Sequence, residues 1–160
     1  MEFVHLHTHS HYSFHAGVPS VEDLVSRAKE LGMRSVALTD TDRMSGLIRH
    51  YEECRRAGIK PLLGVELTEH TDPSATGTGA ESSSRIDGAA AVAGRERLVL
   101  LAKNARGYSE LCDISTQRHL DGEGFNFDTV FAQPWENVII MTPWPRLLSL
   151  VAAGPNRCRL

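Results

Sequence analysis

Long apolar runs are absent from the sequence, and that absence sets the first limit. No stretch of eighteen apolar residues occurs, so no membrane-spanning helix is written into the chain. The opening residues MEFVHLHTHS lack both the basic segment and the apolar core of a secretory signal. A soluble, cytoplasmic protein that makes no membrane contact is the expectation. Cysteine is scarce as well. Cys54, Cys112 and Cys158 are odd in number and far apart, which suits neither a disulfide framework nor a paired-cysteine metal site. They read as buried thiols. An excess of basic charge is also missing: 17 Lys and Arg against 20 Asp and Glu leave a net charge of −3. Such a balance gives no electrostatic footprint for nucleic acid, and any contact would be indirect, through a local patch or through other parts of a larger polypeptide.

What the chain does have is enough apolar material for one core. At 160 residues, 41% apolar and 23% charged, it calls for one domain or a piece of one. Residues 2–7 read as a strand with His5 and His7 on one face and Val4 and Leu6 on the other. A helix is predicted over about 20–31, where Ser20 and Asp23 form a capping box. Val21, Leu24, Val25, Ala28 and Leu31 make its apolar stripe, and Gly32 stops it. A buried strand at 35–39 comes next, then a helix through Leu47, Ile48, Tyr51 and Cys54 ending at Gly58, then a strand at 61–67. This alternation of strand and helix predicts parallel pairing, as in an α/β sheet or barrel.

The middle of the chain differs. Residues 70–97 are rich in Gly, Ser, Thr and Ala and nearly free of large apolar side chains, so a flexible insertion after the third strand is expected there. Beyond it the pattern predicts a strand at 98–102 and a helix over about 107–119 with Tyr108, Leu111, Cys112 and Ser115 on one side. A strand at 137–142 and a short helix at 145–152 complete the reading.

Candidate chemistry gathers at the ends of the first three strands, where the loops of parallel α/β folds converge. His7 and His9 end the first, Asp40 the second and Glu66 the third. Imidazole nitrogen combined with carboxylate oxygen suits zinc, manganese or iron. Taken singly, each residue has an ordinary reading. Asp40 could cap the following turn, and Glu66 could be a solvated boundary residue.

The segment HLHTHSHYSFHAG, residues 5–17, resembles the first motif of the PHP family, the polymerase and histidinol-phosphatase domains. VALTDTDRMSGLIRHYEECRRAGIKPLLGVEL, residues 36–67, resembles the next two motifs in the form found in DNA polymerase III alpha subunits, and LVLLAKNARGYSELC, residues 98–112, resembles the segment next in order in those subunits. The resemblance implies a distorted β/α barrel, of which about five of the seven βα units are countable here. It implies a divalent-metal site whose ligands are His7, His9, His15 and Glu66, with Asp40 and Glu66 as the catalytic carboxylates. His15 sits where some phosphatase members carry a further His, while polymerase members place Asp one residue later, where Ala16 stands here.

Two departures qualify that implication. The family's Thr-Asp-His motif reads Thr39-Asp40-Thr41, so a hydroxyl replaces a ligand. The family's later ligands have no counterpart after residue 100, and His119 lies within a helical pattern. A partly degenerate site with weak or partial zinc or manganese loading is therefore expected, in a single PHP domain over residues 1–160 that lacks part of its barrel. Three functions stay open. The chain could be the PHP domain of a DNA polymerase III alpha-like protein in DNA replication, partnered by polymerase domains or replication subunits. It could be a stand-alone phosphatase of histidinol-phosphatase type, or a non-catalytic scaffold for a polymerase.

Overall fold

In a computed structural model, residues 3–14, 16–69 and 96–155 are described. The first helix forms as its cap predicts. Ser20 Oγ accepts the Asp23 amide at 3.1 Å, and α1 spans Val21–Glu30. Gly32 at φ +68 and Gly58 at φ +74 supply the left-handed turns that end α1 and the second helix. Strand β1 covers Ser35–Leu38, α2 covers Leu47–Ala57 and β2 covers Lys60–Glu69. After the undescribed stretch come β3 (Glu96–Ala102), α3 (Ala105–Asp121), α4 (Phe127–Phe131), β4 (Val138–Met141) and α5 (Pro145–Ala153), with a 3-10 turn at Gly122–Gly124.

These elements make a mixed α/β fold around a four-stranded sheet ordered β1-β2-β3-β4. β1 and β2 are parallel, in the register Ser35↔Lys60 to Leu38↔Leu63. β2–β3 and β3–β4 are antiparallel, so the parallel pairing that alternation predicts covers only the first part of the sheet. The expected strand at 2–7 is also corrected. Residues beside β1 meet it through a single parallel bridge, His5↔Val36, with Ala37 N donating to His5 O and Thr39 N to Thr8 O. Side chains displace the ladder there: the Thr39 hydroxyl accepts the Thr8 amide at 3.0 Å, and Thr8 Oγ1 donates to Ala37 O. Of the expected insertion, residues 70–95 lie outside the described residues, whereas Glu96 and Arg97 open β3. Arg146 on α5 pairs with Glu69, Glu96 and Asp128, which fastens the start of β3 to the end of β2.

The apolar side chains divide between the sheet's two faces. Val65 and Leu67 of β2 join Leu98, Leu100, Leu111, Ile114, Phe127 and Phe131 in the main core under α3 and α4. Because side chains alternate along a strand, Glu66 points to the opposite face, where Ala37, Val99 and Leu101 cluster. That alternation sets the direction of the carboxylate at the strand ends.

On α2 the buried stripe is Leu47, His50 and Cys54, while Ile48 and Tyr51 are exposed. His50 supplies the polar contact its burial requires: its Nε2 lies 3.2 Å from Val36 O, and Cys54 Sγ lies 3.7 Å from the ring. Burial holds the imidazole below its ordinary 6.5, although the backbone contact and the Asp40 charge oppose this, and burial pushes the Cys54 thiol up to about 11, so it stays protonated. A base kept neutral in the fold binds fewer protons than its unfolded counterpart. Stability is thus fully present above pH 6.5 and falls as pH drops below it. Urea denaturation should show stability falling between about pH 7 and 5.5 through this group. His50→Gln should flatten that slope; an unchanged slope would remove His50 as its source.

Candidate metal centre

The residues around the first three strand ends meet as a cluster. His7 Nε2 lies 3.2 Å from Glu66 Oε1, and His9 Nε2 lies 3.9 Å from Glu66 Oε2. The two imidazoles stand edge to face at 4.7 Å between centroids. One ligand atom from each of His7, His9 and Glu66 falls within 4.8 Å of the others, and among the described residues no other such group of His, Cys, Asp or Glu occurs. His15 lies outside the described residues.

Glu66 is 1% exposed, and among the described residues its buried Oε1 has no hydrogen-bond partner. His7 Nε2 at 3.2 Å and Arg97 at 3.6 Å approach it as ionic neighbours without completing a hydrogen bond, so the position favours a cation in closer contact. Burial pushes the Glu66 carboxyl up, but His7, Thr41 and His9 outweigh burial and hold it below its ordinary value. Burial also holds His9 below its ordinary value, in spite of Glu66, and so favours the neutral ring that a metal needs. Two imidazole nitrogens and one buried carboxylate oxygen fit a divalent metal with an open coordination position.

The polar groups behind the cluster also fix the tautomer of His9. Ser13 Oγ donates its only proton to Asp40 Oδ1 at 2.7 Å, so it must accept from the His9 ring, whose Nδ1 lies 3.0 Å away. The proton then sits on Nδ1, and Nε2 carries its lone pair toward Glu66. An outer-shell hydrogen bond of this kind orients a ligating histidine. Ser13 Oγ also accepts the Thr41 amide at 2.9 Å. Asp40 itself is 1% exposed and stands apart from the triplet. It accepts hydrogen bonds at 2.7 Å from Ser10 N, Ser10 Oγ and Ser13 Oγ, which ties residues 10–13 to the end of β1.

Thr41 occupies the remaining corner. Its Oγ1 donates to Glu66 Oε2 at 2.8 Å, and Thr41 and Glu66 form a parallel bridge. Next to it, Asp42 adopts φ +50 while its amide donates to Glu66 O at 2.7 Å. The Asp42 carboxylate accepts from Thr68 N and Oγ1 and pairs with Arg118 at 3.2 Å. Residues that sequence reasoning passed over therefore frame the site: Ser10, Ser13, Asp42, Arg118 and, from β3, Arg97, whose NH1 is 3.6 Å from Glu66 Oε1. Serines have no spacing rule that could have marked them, and Arg97 sat inside the segment read as insertion.

Fold and site together describe a mixed α/β domain in which two histidines and a buried carboxylate form a candidate metal-ligating cluster. The PHP domain model matches residues 5–150, and the chain belongs to that family. It is 37% identical over 120 residues to the DNA polymerase III subunit alpha of Helicobacter pylori, covering 75% of this chain and 9% of that protein. It is 35% identical over 147 residues to the DNA polymerase III subunit alpha of Treponema pallidum, covering 89% of this chain and 12% of that protein. The chain thus spans about a tenth of the length of these relatives, at 9% and 12%. A solved amidohydrolase from Chromobacterium violaceum aligns with a TM-score of 0.46 and 21% identity over 81% of this chain and 42% of that one. Among the described residues, no helix is long and apolar enough to cross a membrane.

Proposed function

We propose that residues 1–160 act as a single PHP domain of a DNA polymerase III alpha-like polypeptide, contributing to DNA replication as a weakly metal-binding structural module. Its partners on this reading are polymerase domains or replication subunits, and its architecture is a distorted β/α barrel of the PHP type with residues 70–97 as an insertion. The observation that carries the reading is the Thr41 hydroxyl, which donates to Glu66 Oε2 where the family places a ligating His. A hydroxyl is a poor ligand for zinc or manganese.

His7, His9 and Glu66 would hold the ion, with His15 a further candidate. A bound metal would supply an activated water and charge neutralisation for a phosphoester. The chain's own contributions are the orientation of His9 by Ser13, the burial of Glu66, and the fastening of residues 10–13 by Asp40. Asp40 is engaged by three donors and acts on this reading by positioning the loop, while Glu66 keeps the oxygen that faces the ion.

The test is hydrolysis of bis-p-nitrophenyl phosphate with added manganese by the native chain, Thr41→His and His7→Ala/His9→Ala. Negligible turnover is expected from all three. Thr41→His should retain metal better without gaining activity, because the family's distal ligands are still missing. Native turnover that vanishes in the double-alanine variant would establish a working phosphoesterase and overturn the module reading.

A further inference from the structure

Arg97 reaches the same carboxylate from the other side of the site. It lies on β3 opposite Thr68, while Glu66 pairs with Val99, so the guanidinium crosses diagonally toward the metal cluster. Its side chain is 34% exposed, and NH1 stands 3.6 Å from Glu66 Oε1. That oxygen is the buried one without a hydrogen bond among the described residues, and it is also the one His7 approaches at 3.2 Å. At 3.6 Å the guanidinium is close enough to interact with the carboxylate charge.

We infer that Arg97 is an internal cation that competes with the metal for Glu66, so that metal affinity in this domain is set by the arginine as well as by the ligands present. The inference rests on the metal-site reading under Proposed function and adds to it the element that weakens loading. Arginine keeps its charge at every relevant pH. A divalent ion between the two imidazoles and Oε1 must sit within a few ångströms of NH1. Coulomb repulsion between a double and a single charge at that range lowers affinity roughly tenfold to thirtyfold even at a water-like dielectric. Without metal, the same charge adds to the Thr41 hydrogen bond and the His7 contact in compensating the buried carboxylate.

The experiment is calorimetric titration of manganese chloride into the native chain, Arg97→Gln, Arg97→Lys and His7→Ala/His9→Ala, with unfolding midpoints of all four measured in chelator. Arg97→Gln is expected to bind manganese at least about tenfold more tightly than native. Arg97→Lys, which keeps the charge, should stay within about threefold of native. If Arg97→Gln folds poorly by its midpoint, Arg97→Met carries the same readout. Affinity in the neutral variants equal to or weaker than native overturns the competition, even where the double-alanine variant shows that His7 and His9 bind the metal. Equal binding by the native and double-alanine chains overturns the metal-site reading instead. Should the native chain bind too weakly to measure, binding gained by Arg97→Gln and lost again on adding His7→Ala/His9→Ala supports the competition, and no gain overturns it.

Discussion

Asp40→Ala is expected to lower the stability of the domain by about 3 kcal/mol or more, since three charge-assisted hydrogen bonds are lost together, a larger effect than most single substitutions produce. The carboxylate is 1% exposed and accepts three hydrogen bonds of 2.7 Å, from Ser10 N, Ser10 Oγ and Ser13 Oγ. Truncation leaves the Ser10 amide, itself buried, without an acceptor, and frees both hydroxyls from their charged partner. The damage extends to the site. Once Ser13 no longer donates to Asp40, it can donate to His9 Nδ1, and the tautomer that turns Nε2 toward Glu66 is no longer enforced. Asp40→Asn retains an acceptor oxygen and should cost less, about 1–3 kcal/mol. Guanidinium denaturation followed by circular dichroism measures both. A loss under about 1 kcal/mol for the alanine variant would mean that residues 10–13 are held by something other than this carboxylate.

The part of the fold that was legible in the sequence is the part governed by local rules. Ser20 and Asp23 announced α1, Gly58 ended α2, and the apolar runs of β1 and β2 were read to within a few residues. Their parallel pairing was implied by the intervening helix. The illegible part depends on contacts between distant residues. The antiparallel direction of β3 and β4 is not encoded in LVLLA or NVIIMT, whose apolar runs would serve either direction. The α4 segment Phe127–Phe131 is five residues long, too short for a helical period to show, although its phenylalanines are among the most buried side chains. On α2 a buried His50, satisfied by Val36 O, completes the inward face with Leu47 and Cys54, a place that apolar periodicity alone does not mark.

The site divides in the same way. His7, His9 and Glu66 were found because imidazoles and carboxylates at strand ends are a recognisable pattern, and the structure brings those three together. Asp40 was marked by the same pattern but stands behind the cluster, bonded to two serines that carried no signal of their own. Arg97 was hidden for a different reason: its charge acts across a strand pairing whose register no linear motif records.

The second large effect concerns the metal itself. His7 and His9 supply both nitrogen donors of the cluster, and their removal leaves Glu66 as its remaining ligand among the described residues. An outer-shell change alone lowers affinity about tenfold to hundredfold, so His7→Ala/His9→Ala should lower it by at least about a hundredfold. His7 is exposed and His9 only partly buried, so the double variant should fold.

Metal content per chain is the most direct measurement. The native chain and His7→Ala/His9→Ala are each incubated with zinc or manganese, dialysed, and assayed by elemental analysis. The native chain should retain at most about one ion, held weakly, and the double variant essentially none. Two or three tightly held ions in the native chain, or equal retention by the double variant, would contradict a weakened metal site built on His7, His9 and Glu66.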